Sequence, residues 1–190
     1  MTTADPDSSL EALARSVRRL EARAAIQDLV TRYAVACDLR DYAALGECFD
    51  EEGSFDSVGG TIVGRDALVA YYRERFAIYG PTYHVPHSIA VSWDPQDDDR
   101  AEGTVLAHSE IFFDQQFVVA AHHYHDRYRR GRDGVWRLLS RDVDFLYAMP
   151  LSELAHADWQ QHRRRFPGAE PMPADIPEKS PHWTPPPWAV

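Results

Sequence analysis

The spacing of apolar residues near the start of the chain predicts helical structure. Between positions 10 and 37, apolar side chains recur every three or four residues, which is the period of an amphipathic helix. They are Leu10, Leu13, Val17, Leu20, Ala24, Ile26, Leu29, Val30 and Cys37. Ser8 or Ser9 can cap this segment, and Glu11 in its first turn suits the helix dipole. We therefore expect one or two helices that end near residue 39 and share one continuous apolar face.

Further along, the pattern changes from helices to β-strands. A short helix is predicted over 42–49, with Asp41 as its cap, and a hairpin over 53–63, where Gly59 and Gly60 readily adopt the positive φ of a tight turn. A helical period returns over 64–79 and is expected to stop at Gly80-Pro81. Four long strand candidates follow, separated by short polar or glycine-containing turns. They cover residues 82–93, 101–113, 116–130 and 135–147.

This order of elements predicts an α+β domain over residues 1–150. Helices followed by a long antiparallel meander favour a curved antiparallel sheet that wraps around the N-terminal helices and encloses a conical cavity. A last helix is predicted over 151–166. Eight of the thirteen prolines follow Phe166, so we expect the rest of the C-terminal region, to residue 190, to be an extended tail without its own core.

Composition and charge narrow the classes of protein to which the chain can belong. Its 190 residues are 44% hydrophobic and 26% charged, as in one ordinary domain. Twenty Lys and Arg against thirty Asp and Glu give a net charge of −10, which disfavours a nucleic-acid partner. Two cysteines, the absence of a leader pattern and the absence of a long apolar run predict a soluble, cytoplasmic protein with no membrane association.

Histidines and carboxylates are the candidate chemical groups, because no nucleophile elbow, phosphate loop or dinucleotide fingerprint is present. Asp38 stands in an apolar helix end, so it is either a surface residue or a buried group with a partner. Strand alternation places His123 and His125 on one face and His122 on the other. We considered a metal site at His123 and His125 but predict none, since no carboxylate triad accompanies them. We interpret His87, His122 and His123 as partly buried histidines that neighbours satisfy.

Three stretches carry a resemblance to a known family. They are ARAAIQDLVTRYAVACDLRD, PTYHVPHSIAV and YHDRYRRGRDGVWRLLSR. Together they resemble the SnoaL-like branch of the NTF2-like superfamily, over roughly residues 10–150. The resemblance implies the cone-shaped fold of that superfamily. It also implies acid–base chemistry without a cofactor, as in the dehydrochlorinases and dehydratases of this family.

The resemblance also implies which residues are catalytic. It places the general base on His84 and the aspartate that pairs with it on Asp38. The dehydrochlorinases have a lysine at the position of Tyr33, and a tyrosine there favours loss of a hydroxyl group, which a phenol can protonate. His108 falls near a second histidine of the dehydratases, so we expect it to assist Tyr33.

Two choices stay open at this point. A basic residue of the family corresponds to Arg129 or Arg141. Plain strand alternation selects His87 as the inward-facing histidine, whereas the resemblance selects His84; a bulge near Pro86 would reverse the parity. We follow the resemblance and keep His87 as the reserve.

These residues predict a lyase of the dehydratase kind that acts on an apolar cyclic or polyketide-like molecule. Tyr72 and Phe112 are expected to line its pocket, together with His87 and one of the two arginines. An isomerase or polyketide cyclase, and a non-catalytic ligand-binding domain, are the alternatives. We expect a homo-oligomer, with a trimer favoured over a dimer.

Overall fold

The computed structural model describes residues 6–57, 59–155 and 162–184. Its helices are α1 (Pro6–Leu39), α2 (Tyr42–Cys48) and α3 (Arg65–Ala77). Its strands are β1 (Phe49–Ser57), β2 (Gly60–Val63), β3 (Tyr79–Trp93), β4 (Arg100–Phe113), β5 (Gln116–Arg130) and β6 (Trp136–Pro150). They form one sheet in the order β2-β1-β6-β5-β4-β3, in which only β1 and β6 pair in parallel. The predicted α+β class, with a curved sheet around α1, is confirmed.

The hydrophobic core lies between the helices and the inner face of the sheet. Its most deeply buried members come from every layer; they include Ile26, Leu29, Cys37, Leu45, Leu68, Val105, Tyr128 and Leu138. The predicted N-terminal cap of α2 is confirmed. The side chain of Asp41 accepts a hydrogen bond from the amide of Ala44 at 3.0 Å and so caps α2.

The helix before β3 is shorter than predicted. α3 ends at Ala77, and both Gly80 and Pro81 lie inside β3. β3 is an edge strand of the sheet, where a proline without an N–H donor is tolerated. Gly80 is needed for space, because a Cβ there would approach the Phe112 ring to 2.7 Å.

The prediction of one continuous apolar face on α1 is wrong. α1 is a single helix, but Leu13 and Leu20 are 61% and 68% exposed, whereas Leu29 is fully buried. At about 100° per residue, Leu13 and Leu29 point about 160° apart, so the helix carries two apolar stripes on nearly opposite sides. The side that faces the domain at this end of α1 carries Arg19, which donates to Asp98 of the β3–β4 loop at 3.1 Å.

The predicted C-terminal helix over 151–166 is also corrected. Only Leu151–Glu153 is helical, as one 3-10 turn, and residues 162–166 contain no helix; residues 156–161 lie outside the described part. The backbone of Arg163 and Arg165 instead bonds to Ala148 of β6, at 2.8 and 2.6 Å. β1 covers β6 only as far as Asp142, so the remaining edge of β6 offers unpaired backbone groups, which this segment satisfies.

None of the helices in the part of the chain that the structure describes is long and apolar enough to cross a membrane.

Candidate active site

A β-bulge in β3 decides which face His84 occupies. His84 lies opposite Ser109 of β4, and the pairing then shifts between Pro86 and Ser88, so that His87 has no partner. Residues directly opposite one another on neighbouring strands share a face, and Ser109 is buried on the inner face. The bulge proposed from the sequence is confirmed, and it turns His84 inward although plain alternation selects His87.

His84 and Asp38 form a close pair between β3 and the end of α1. Nδ1 of His84 lies 2.6 Å from Oδ1 of Asp38, and the backbone N–H of His84 donates to Oδ2 of the same carboxylate at 2.9 Å. The two side chains are only 13% and 16% exposed. Asp38 is therefore a half-buried group with a partner, not a free surface residue. Its carboxylate accepts a hydrogen bond from Nδ1–H of His84, which leaves Nε2 as the nitrogen with the free lone pair.

Three buried tyrosines lie deeper in the domain. The hydroxyls of Tyr33 (α1) and Tyr72 (α3) are 2.8 Å apart, and the rings of Tyr33 and Tyr124 (β5) pack edge to face at 6.2 Å. Burial raises the pKa of each of these phenols above its ordinary value. All three therefore stay protonated at neutral pH and can donate hydrogen bonds.

Arg141, not Arg129, is the basic residue inside the domain. Its guanidinium lies 4.1 Å from the ring centres of both Tyr33 and Tyr124 and donates two hydrogen bonds to Asp126, at 2.8 and 2.6 Å. Burial alone would lower the pKa of Arg141, but the Asp126 carboxylate raises it, so this group is a permanent cation. Arg129 instead forms ion pairs with Asp50 and Glu52 of β1.

Sequence reasoning missed His122 as a site residue. It lies on the inner face of β5, where its Nε2 is 3.0 Å from the hydroxyl oxygen of Ser109 and its ring stacks at 4.6 Å on Tyr124. Burial first, and then the charges of His84 and Arg141, lower its pKa to about 3, so the ring is neutral. The signal was present in the sequence, because alternation already placed His122 on the same face as Tyr124.

Two buried nitrogens in this cluster lack partners. Within the described residues, neither Nδ1 of His122 nor Nη1 of Arg141 has a hydrogen-bond partner. An unsatisfied buried polar atom costs about 1–3 kcal/mol, so such atoms are rare unless something else completes them. They are suited to hold a polar group of a bound molecule.

Three predicted site residues lie elsewhere. His87 and His108 contact each other at 2.6 Å on the outer face of the sheet, and both are exposed. Phe112 is on the same outer face and is 40% exposed. The expectation that they line one pocket with His84 does not fit this placement. Strand parity is the reason, since His108 stands next to the inward-facing Ser109.

The conical cavity expected around this cluster can be compared with the concave surfaces of the structure. Four such surfaces in the described part have cavity volumes of about 340 to 660 Å³. None of the four is lined by Asp38, His84 or Tyr33; the largest lies beside Arg129 and Arg137. The tyrosine rings and the Arg141 guanidinium lie between α1 and the inner face of the sheet.

Comparison with a family model identifies the fold family. The model of the SnoaL-like domain matches residues 18–142, which is more than half of the chain. The chain belongs to the SnoaL-like family. All the inward-facing groups described above lie inside the matched region.

Proteins of similar sequence or structure bear the names of lyases. Hexachlorocyclohexane dehydrochlorinase 1 of Sphingobium indicum is 28% identical over 141 residues, which are 73% of this chain and 91% of that protein. The crystal structure of a type 2 hexachlorocyclohexane dehydrochlorinase superposes with a TM-score of 0.68 at 23% identity, and covers 81% of this chain and 99% of its own. A scytalone dehydratase-like protein from Novosphingobium aromaticivorans gives 0.65 at 16% identity, with 82% and 99% covered. The two structures establish the fold.

The burial of neutral His122 predicts how the stability of this SnoaL-like domain depends on pH. The unfolded chain binds a proton at His122 below about pH 6.5, but the folded chain does not until about pH 3. Stability is therefore lost as the pH falls below 6.5. Between pH 7 and pH 5 this histidine alone should remove about 2 kcal/mol from the free energy of unfolding.

Urea denaturation at both pH values measures this effect. The His122→Gln variant should lose about 2 kcal/mol less than the wild type over this interval, whereas His182→Gln, an exposed control, should behave as the wild type. An identical pH dependence in wild type and His122→Gln would show that His122 is not held neutral.

Proposed function

We propose that this SnoaL-like protein is a lyase of the dehydratase kind, acting on an apolar cyclic or polyketide-like molecule. The observation that carries the proposal is the 2.6 Å contact between Nδ1 of His84 and Asp38. The family relationship to dehydrochlorinases and to a dehydratase-like protein supports an enzyme with a lyase-like role. A binding module has no need for such a pair.

The base side of the reaction follows from this pair. Nε2 of His84 removes a proton from carbon, and the Asp38 carboxylate stabilises the imidazolium that forms. No hydrogen bond from another described residue occupies Nε2, so this nitrogen is free to accept. The electron pair of the broken C–H bond becomes the new double bond of the product.

The acid side rests on the Tyr33–Tyr72 pair. A chloride leaves without protonation, but a departing hydroxyl needs a proton donor. Buried phenols that stay protonated supply one, and Tyr72 can stabilise the charge that develops on Tyr33. The hydroxyl oxygen leaves as water with the phenol proton, and the proton on His84 returns to Tyr33 through solvent or bound water. Tyrosine in this position favours dehydration over dehydrochlorination.

Substrate binding is assigned to the inner cluster. Aromatic rings surround it, which suits an apolar molecule, while Nδ1 of His122 and Nη1 of Arg141 can fix a carbonyl or hydroxyl oxygen. A carbonyl next to the reacting carbon would also acidify the proton that His84 removes. We therefore favour a cyclic β-hydroxy ketone.

Turnover of a set of bicyclic aromatic β-hydroxy ketones tests the choice of base. The wild type should convert at least one to a product 18 mass units lighter, and His84→Ala should lower the rate roughly 10²-fold or more while circular dichroism stays unchanged. His87→Ala is the matched control and should retain activity. Loss of activity in His87→Ala but not in His84→Ala would refute the choice of His84.

Deuterium uptake separates the roles of Tyr33 and Asp38. Tyr33→Phe removes the proton donor but leaves the base, so water loss should fall roughly 10²-fold while exchange at the substrate carbon persists. Asp38→Asn should suppress both, because the imidazolium loses its compensating charge. Tyr83→Phe, an exposed tyrosine on β3, serves as control.

An isomerase or cyclase would give a different pattern. The same phenols could stabilise an enolate from which nothing departs, and Tyr33→Phe would then slow exchange as well. Equal loss of exchange in Tyr33→Phe and Asp38→Asn would contradict the role of Tyr33 as the acid of a dehydratase. It would leave the pairing of His84 with Asp38 intact.

We further propose that the chain assembles as a homotrimer through the outer face of the sheet. Large apolar side chains are exposed there, which is typical of an interface core. They are Tyr83, Leu106, Phe112 and Phe117.

Light scattering tests this assembly. The 21.6 kDa chain should have a mass of about 65 kDa in solution, and a charge in the interface should dissociate it, so Leu106→Glu should shift the mass towards the monomer. Leu20→Glu, on the exposed stripe of α1, should not. A monomer for the wild type at micromolar concentration would contradict the proposal.

A further inference from the structure

We infer that Arg40 is a positioning residue that controls the tautomer of His84 through Thr82 and Asp38. This inference rests on the proposed function, since it concerns the same base. Four hydrogen bonds join these residues in one chain, from the end of α1 to the start of β3.

Arg40 stands where the chain leaves α1. Its φ of 58° is the left-handed conformation that glycine usually supplies at this point, so the choice of arginine needs another reason. Because of this turn the side chain folds back over the helix end, where Nη1 donates to the carbonyl of Cys37 at 2.6 Å. A cation at the C-terminal end of a helix is favourable, and here it also lies next to the turn that carries Asp38.

The guanidinium then bridges to β3. Nη1 donates to the hydroxyl oxygen of Thr82 at 2.7 Å, and Nη2 donates to the carbonyl of Gly80 at 2.7 Å. The group also stacks on the ring of Phe76, with 4.3 Å between the guanidinium carbon and the ring centre. Arg40 thus ties the beginning of β3 to the end of α1, two to four residues before His84.

The direction of the bonds at Thr82 follows from the chemistry of arginine. A guanidinium can only donate, so the oxygen of Thr82 accepts from Arg40, and its single hydroxyl proton is left for another partner. That partner is Oδ1 of Asp38, at 3.0 Å. Asp38 therefore receives the Thr82 hydroxyl, the backbone N–H of His84 and the ring of His84.

This set of donors decides the state of the base. The bonds from Thr82 and from the His84 backbone fix the orientation of the Asp38 carboxylate, and because an ionised carboxylate only accepts, the His84 proton sits on Nδ1 and Nε2 keeps its lone pair. Without Arg40, no donor holds the Thr82 oxygen as an acceptor, so the Thr82 hydroxyl can rotate away from Asp38. The carboxylate can then turn, and its hydrogen bond with the ring of His84 weakens. Lysine cannot replace arginine here, since one ammonium nitrogen cannot span three acceptors in the geometry of the planar fork.

Imidazole ¹⁵N NMR of the full-length protein tests this inference without a substrate. In the wild type, the His84 signals, assigned by their loss in His84→Gln, should show the proton on Nδ1. Arg40→Lys and Thr82→Val should both give a mixture of tautomers, whereas Thr82→Ser, which keeps the hydroxyl, should restore the wild-type spectrum. Arg73→Lys is the matched control, because Arg73 stacks on Tyr42 but takes part in none of the four hydrogen bonds between Arg40 and His84.

Kinetics give a second readout. Both Arg40→Lys and Thr82→Val should lower kcat roughly ten-fold or more with little change in KM, because they disturb the base and not the binding of substrate. An unchanged His84 tautomer in Thr82→Val and in Arg40→Lys would overturn the inference and leave the proposed lyase intact. The expected tautomer change in a protein that turns over no hydroxy ketone would instead refute the proposed function and leave the positioning role standing.

Discussion

The buried ion pair between Arg141 and Asp126 organises the interior of this domain. Both side chains are completely buried, and removing one partner from such a pair typically costs about 3–5 kcal/mol, because an uncompensated charge remains. The surroundings stabilise the pair, because the rings of Tyr33 and Tyr124 pack against the guanidinium and the Tyr128 hydroxyl donates to Asp126 at 2.6 Å. The same cation holds Tyr33 and Tyr124 in place. The acid side of the proposed reaction therefore depends on it.

The base side depends on a different junction, where α1 ends and β3 begins. Asp38 belongs to the last turn of the helix and His84 to an edge strand, so their contact is as stable as the packing between these two elements. Hydrogen bonds from Arg40 and Thr82 cross this junction. Tyr33 and Asp38 both belong to α1, but Tyr33 packs against Arg141 of β6 whereas Asp38 contacts the edge strand β3. This separation lets the two groups be tested by independent substitutions.

Much of the fold was predictable from the sequence because its signals are local. The turns between them and their composition predict the strands β3 to β6. Asp41 caps α2, as its position before the helix predicts. The contact between His84 and Asp38 was predictable only through the resemblance, since plain alternation around Pro86 places His87 and not His84 on the inner face. A bulge changes parity without leaving a periodic signal, so pattern reasoning cannot place His84 alone.

Other features could not be predicted because they depend on distant partners. Arg129 and Arg141 look equivalent in the sequence, and only the position of Asp126 opposite Arg141 distinguishes them. The segment over 162–166 was predicted as part of a helix but contains none, since its backbone bonds to Ala148 on the free edge of β6. The leucines at the start of α1 continue the helical period while they point away from the core. The catalytic roles of Asp38, His84 and Tyr33 stay proposals.

The central claim is that His84 breaks a carbon–hydrogen bond of the substrate and that, in the wild type, this step limits the rate at which the hydroxyl group is lost. The most direct measurement is the single-turnover rate of a β-hydroxy ketone deuterated at the carbon between the carbonyl and the hydroxyl-bearing carbon, compared with the unlabelled compound. The account predicts that the deuterated substrate reacts several-fold more slowly, because the bond to deuterium is broken by the base. Equal single-turnover rates for the two compounds would contradict it.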